Sequence, residues 1–174
     1  MSTGIFFSCH NTIEEINRSE LEENLPLQSI ENGTFVYSEK GRVINKLKAV
    51  KFLQFKNEDI QISEGMWMEI YNKQEDPEAT ITSSKGIFQK EENVLTAKDS
   101  VILANNKGDS LFTEELILYQ DSDLIISNYP IEIRQGNNVI FGTGLKANTS
   151  FTSYEIKNPA RSRLVIPEDS LTSD

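Results

Sequence analysis

Leu111-Phe112-Thr113-Glu114-Glu115-Leu116-Ile117-Leu118 lies within the stretch from Asn93 to Asn148 and sets the reading of the whole chain. Leu111 and Thr113 are two residues apart and share one face of a strand, as do Leu116 and Leu118. The step from Thr113 to Leu116 is odd, and in a regular strand it would send the second pair to the opposite face. A β-bulge or sharp bend after a small residue restores one continuous apolar face. The same pattern recurs as Leu47-x-Ala49-x-x-Phe52, Ile81-x-Ser83-x-x-Gly86-x-Phe88 and Ile140-x-Gly142-x-x-Leu145-x-Ala147. Successive copies begin 34, 30 and 29 residues apart, a period that marks repetitive architectures. Each copy is expected to be a long strand bent at a corner, and the stacked copies an open, curved sheet sandwich with an apolar trough. Chance recurrence of apolar-x-small in an ordinary β-sandwich is the competing explanation.

Outward from these copies the period stays near two. Phe35 and Tyr37, then Val43 to Phe55, read as a hairpin split by the Glu39-Lys40-Gly41 turn. Met66, Met68 and Ile70 alternate against Trp67 and Tyr71, which predicts a strand buried on both faces. Asn105-Asn106-Lys107-Gly108-Asp109 is a hairpin signal because Asn and Gly accept positive φ cheaply. Pro130 cannot donate to a ladder and is expected at a strand start or edge. Phe151 to Ile156 reads as a last strand, stopped by Asn158-Pro159. About ten strands with short polar turns and no interior helix predict an all-β sandwich or jelly roll.

The 174 residues are one domain's worth, with net charge −10, pI about 4.7 and mean hydropathy −0.41. So acidic a chain repels phosphate backbones, which argues against nucleic acid as a partner. The expected division is a tether over 1–29, a β-domain over 30–159 and a tail over 160–174. In the tether, Ile13, Ile16 and Leu21 give the only helical spacing, and Pro26 ends it. Cys9 is the only cysteine, so no intrachain disulfide forms. Ile5-Phe6-Phe7-Ser8-Cys9 is similar to the end of a lipoprotein signal, but a complete signal carries an apolar region of about 7–15 residues. The expectation is a lipidated Cys9 and a start assigned too late; a free cysteine near a terminus fits equally well.

Chemistry finds little to work with. The single histidine, His10, lies in the tether beside the single cysteine, so no Ser-His-Asp, Cys-His or histidine metal site can form in the β-domain. Glu114-Glu115, Asp121 with Asp123, and Asp99 are carboxylates of the kind a glycosidase pairs. Turn acids and solvated strand faces account for them better, since adjacent strand residues point apart. Gly142-Thr143-Gly144 lacks the lysine and following helix of a phosphate loop and reads as the bend of the fourth copy. Trp67 between two methionines reads as core. No catalytic residue, cofactor or metal is expected.

With the copies, the tether and the lack of catalytic groups in hand, the chain resembles the LptC family, the periplasmic component of the lipopolysaccharide export machine. Leu111-Phe112-Thr113-Glu114-Glu115-Leu116, Asn128-Tyr129-Pro130-Ile131-Glu132-Ile133, Gly142-Thr143-Gly144-Leu145 and Tyr154-Glu155-Ile156-Lys157-Asn158-Pro159 carry the likeness, over about Pro26 to Pro159. The ending resembles Bacteroidetes-type members. Many members carry an N-terminal membrane helix that this chain lacks; a lipidated Cys9 would anchor it to the inner membrane instead. The resemblance implies an open, twisted, OstA-like β-jelly roll that takes lipopolysaccharide from the inner-membrane ABC transporter and passes it to an LptA-like bridge protein in the periplasm.

On that reading Leu47, Ile81, Phe88, Leu103, Leu111, Leu116, Ile131, Ile133 and Leu145 line the lipid trough. The edge residues Phe35, Val36 and Tyr37 meet the transporter, and Phe151, Thr152, Tyr154 and Ile156 meet the bridge protein by β-augmentation. The rival from another class is a carbohydrate-binding or structural cell-surface sandwich. It predicts a closed core and an aromatic platform, for which Trp67, Tyr71, Tyr119 and Tyr129 are the candidates. The bridge protein's own role is the alternative within the fold.

Overall fold

The computed structural model describes residues 25–160. Ten strands follow in chain order: β1 (Gln28–Glu39), β2 (Arg42–Gln54), β3 (Ile60–Tyr71), β4 (Pro77–Ser83), β5 (Lys85–Gln89), β6 (Val94–Asn105), β7 (Ser110–Tyr119), β8 (Leu124–Gln135), β9 (Asn138–Ala147) and β10 (Tyr154–Pro159). They form one antiparallel sheet in the order β1-β2-β3-β4-β6-β7-β8-β9-β10. β4 and β5 are two halves of one strand broken at Ser84, because β3 and β6 each pair with both. Tertiary strand pairing is thus between sequence neighbours, as short polar turns dictate. Lys40 at φ 52° and Gly41 at φ 80° give the β1–β2 turn the twist that a tight hairpin needs.

The odd step in the repeated pattern is a physical corner. Register shifts fall between Ala49 and Lys51, between Lys98 and Val101, between Thr113 and Ile117, and between Ser127 and Pro130. Glu64, Asp99 and Ser100 take positive φ on the same line across the sheet, and so do Gly65 and Gly144. Every long strand therefore turns at the same height. Leu111, Thr113, Leu116 and Leu118 are all buried, so the bend keeps both halves of the strand facing inward. Small residues are needed at this line: a Cβ on Gly142 would meet Ile156 Cγ2 and the Asn158 carbonyl. Thr113 also ties the corner, as its Oγ1 lies 3.0 Å from Ser127 Oγ and donates to the Pro130 carbonyl at 3.0 Å.

Bent strands in series fold the sheet over on itself. Asn45 of β2 donates to Gln120 just beyond β7, although three strands of the sheet path separate them. Asn105 Nδ2 donates to the Phe151 carbonyl at 3.0 Å across the same gap. Between the layers lies one continuous apolar core that includes Phe52, Met68, Ile81, Leu95, Leu103, Leu111 and Ile133. Each such side chain contributes about 1.5–3 kcal/mol by leaving water. The edges β1 and β10 do not pair with each other, so the roll stays open along its sides.

Three expectations are corrected. β3 is buried on one face only: Met66, Met68 and Ile70 point inward, while Trp67 and Tyr71 lie half-buried on the outer face, because no described residues form a layer over that side of the sheet. Pro130 is not at a strand start but inside β8, tolerated because the bulge of the corner removes the ladder bond it could not make. The last strand begins at Tyr154, not Phe151: the chain from Asn148 to Ser153 is a loop in which Phe151 adopts φ 50° and turns its ring into the core. Cys9, the helix in the tether, most of the tether itself and the tail beyond 160 lie outside the described residues.

Candidate functional site

The layers do not seal equally along their length. At the β1 end, Phe35 of β1, Leu47 of β2, Ile60, Ile62 and Met68 of β3, and Phe88 of β5 surround a cavity of about 140 Å³. Phe35, Leu47, Ile60 and Phe88 are only partly buried. Phe35 stays in place by packing on Phe52, with ring centroids 4.6 Å apart. The rim is polar: the Asn45 amide donates to Gln120 Oε1, and Asn93 Nδ2 donates to the Tyr37 hydroxyl at 3.4 Å. These two contacts bridge the layers and close the mouth like a latch.

Of the nine lining residues expected from the sequence, Leu47 and Phe88 border this mouth. Ile81, Leu103, Leu111, Leu116, Ile131, Ile133 and Leu145 are instead packed in the core at 3% exposure or less. Alternation alone marks inward-facing positions, and it does so equally for a wall and for a filled interior. Ile60, Ile62, Met68 and Leu95 border the mouth without having been singled out. Only the offset of the two layers brings them together, and no local pattern carries that offset.

The proposed contact residues divide in the same way. Val36 is 51% exposed on the β1 edge, next to half-buried Phe35 and Tyr37. At the other edge, Tyr154 and Ile156 are half-buried and Thr152 is exposed, while Phe151 is 1% exposed. Phe151 stacks on Tyr154 with centroids 5.4 Å apart and plugs that end of the roll. Asn148 holds the plug loop: its Oδ1 accepts from the Thr152 and Ser153 amides, both at 2.9 Å, and its Nδ2 donates to Ser150 and Thr152. Burial, and secondarily Asp109, pushes the Tyr154 hydroxyl pKa up.

Four of the carboxylates named from the sequence have structural partners. Glu115 pairs with Lys98 at 3.2 Å and Asp99 with Lys85 at 2.8 Å. Asp121 accepts from Asn93 at 2.5 Å, and Asp123 accepts from the Thr149 amide and hydroxyl at 2.7 and 2.6 Å. Glu78 lies in a polar crevice with Asp121 and Asp123. Burial, then the Asp123 charge, raises its pKa. None of these arrangements converges two carboxylates on a common point in an apolar pocket. Trp67 and Tyr71 carry Lys48 and Lys46 over their rings at 4.8 and 5.7 Å, so the two do not form an open aromatic platform.

An antiparallel β-jelly roll whose edges β1 and β10 do not pair with each other, with one continuous core and an apolar mouth, is the class of molecule these features define. The chain belongs to the LptC family: the family described as lipopolysaccharide-assembly, LptC-related, matches residues 3–164. No curated protein matches the chain. Membership makes it a component of lipopolysaccharide transport, in a family of non-catalytic, periplasmic proteins associated with the inner membrane. Its partners are lipopolysaccharide and the transport machinery in general.

Proposed function

We propose that the chain takes lipopolysaccharide from the inner-membrane ABC transporter into the β1-end mouth and relays it to an LptA-like bridge protein. The supporting observation is the mouth itself, where an apolar cavity meets half-buried Phe35, Leu47 and Phe88. A cavity of about 140 Å³ compares with the roughly 150 Å³ that holds one benzene. The closed mouth therefore admits only the tip of an acyl chain.

Loading then requires β1 and β2 to part from the Asn93 and Gln120 turns, at the expense of the two latch contacts. Each contact is worth about 1 kcal/mol net. Exposing about a dozen methylenes to water would cost roughly 10 kcal/mol at ~0.8 per CH₂, so the latch is a small cost beside that of leaving an acyl chain unburied during transfer. A trough of similar apolarity in the bridge protein would make onward transfer nearly neutral, leaving direction to ATP hydrolysis in the transporter.

In this reading residues 30–159 form the transport domain, and lipidated Cys9 anchors it to the inner membrane. The β1 edge (Phe35, Val36, Tyr37) meets the transporter and the β10 edge (Tyr154, Ile156) meets the bridge protein, each by strand addition. A photo-crosslinking residue at Phe35, Leu47 or Phe88 in cells should yield lipopolysaccharide adducts, with Leu116 in the core and Lys107 in a turn remaining silent. Folded, expressed protein without adducts at the mouth would defeat the proposal. That result would favour the structural or carbohydrate-binding sandwich, whose closed core seven of the nine residues already match.

A further inference from the structure

The acidic charge of the chain is not spread evenly. Lys40, Arg42, Lys46, Lys48, Lys51 and Lys56 fall within residues 40–56 with no acid among them, which leaves eleven of the 17 cations to face all 27 acids elsewhere. The β-period gives that run a direction. Asn45, Ala49 and Phe52 point into the core, so Lys46 and Lys48 stand on the outer face, and the bulge after Ala49 brings Val50 and Lys51 out beside them.

Register then places apolar groups among these cations. Lys48 lies opposite Trp67 on β3, Thr34 lies opposite Lys48 on β1, and Val36 opposite Lys46. Thr34, Lys48, Val50 and Trp67 share one shallow groove on this face. Val36 and Val50 are among the exposed large hydrophobic residues, and so are Leu25 and Leu27 just before β1. The anions nearby are Glu31 opposite Lys51, Glu64 at the corner, and Glu69 opposite Lys46, its carboxylate accepting a hydrogen bond from the Tyr71 hydroxyl at 2.5 Å; Lys48 faces Thr34 and Trp67 instead.

We propose that the outer face of β1–β2–β3 docks on an anionic phospholipid surface, with Lys46, Lys48 and Lys51 against the headgroups and Trp67 and Val50 at the interface. Lysine beside tryptophan is the pairing that bilayer interfaces favour, the cation meeting phosphate and the indole settling at headgroup depth. Charge complementarity selects a surface of this kind, because a chain of net charge −10 is otherwise repelled by it. The cation–π contact of Lys48 with Trp67 at 4.8 Å holds the ammonium over the ring until a phosphate offers a stronger partner. This inference is separate from the relay, since it concerns the outside of the sheet and needs no lipid in the mouth.

Trp67 is the only tryptophan in the chain, so its emission reports on this face alone. The full chain, prepared without lipid modification, should bind vesicles containing phosphatidylglycerol with a blue shift of Trp67 emission that salt reverses. Pure phosphatidylcholine vesicles should give neither. Lys46→Glu, Lys48→Glu and Lys51→Glu together should weaken binding by at least about a hundredfold, each cation contributing severalfold. Lys73→Glu, Lys90→Glu and Lys107→Glu, an equal change of net charge at exposed turns, should leave binding within about threefold of the parent once the general field is screened. Should the first triple variant lose its fold, Lys46→Gln with Lys48→Gln repeats the test. Absence of binding, binding without a Trp67 shift, or equal loss in both triple variants would overturn the assignment.

Discussion

The two ends of the roll are built from the same bent strand and finish differently. At the β10 end the chain between β9 and β10 folds back, drops the Phe151 ring between the layers and is held there by the Asn148 side chain and by Asn105 from the opposite layer. At the β1 end no such loop enters among the described residues, and Phe35, Leu47 and Phe88 border a cavity instead. A repeated strand buries its neighbours on both sides, but a terminal strand has only one, so each end of the array needs a separate solution. One end here is capped by a side chain. The other is left as a mouth with a hydrogen-bonded latch.

The sharpest way to break this contrast is to remove the plug. Phe151→Ala should cost about 3–5 kcal/mol, the range for deleting a fully buried aromatic ring, read as a lower denaturant midpoint with unchanged slope. Opening that end should also expose apolar surface to a hydrophobic dye. Asn148→Ala removes the cap of the plug loop and should cost about 1–2 kcal/mol, measured the same way. At the mouth, Phe35→Ala should cost only about 1 kcal/mol, because the ring is half-exposed and borders space already empty. If Phe35→Ala proves as destabilising as Phe151→Ala, the two ends are equally packed and the contrast fails.

Filling the mouth sharpens the comparison from the other side. Leu47→Trp should leave the unfolding midpoint within about 1 kcal/mol of the parent, since the cavity receives the added volume, yet reduce binding of a fluorescent fatty-acid probe about tenfold or more. The smallest effect belongs to the polar crevice. Glu78 has its pKa raised by burial, then by Asp123, so its charged form is less favoured in the folded than in the unfolded state. Stability from this group is full below the ordinary value of 4.5 and is lost as pH rises through the raised folded pKa. Glu78→Gln should therefore stabilise the chain at neutral pH by no more than about 0.5 kcal/mol, given its exposure. Below pH 4 the gain should vanish, as pH-dependent denaturation would record.

Much of this was legible residue by residue. The odd step from Thr113 to Leu116 announced the corner, and the corner appears at each of the four copies, as a register shift, as the break between β4 and β5 or as the Gly144 turn. The hairpin turns at Lys40-Gly41 and at Gly108 followed from residues that accept positive φ. The last strand was misplaced because Phe151, Tyr154 and Ile156 suit a pleated edge as well as a loop. Asn148 carries no strand-period signal, yet its side chain caps the loop that turns Phe151 inward.

By itself, the sequence determined the strands, their bends and the faces they turn inward, because period, bulge and turn chemistry act over a few residues and are written locally. Its family-wide pattern likewise carried the membership in lipopolysaccharide transport. Only the tertiary structure decided which inward residues fill a core and which border an opening. That distinction depends on how far one half of the sheet slides over the other, an offset set by the packing of residues from β2, β5, β7 and the loop after β9 together. No stretch of chain contains it.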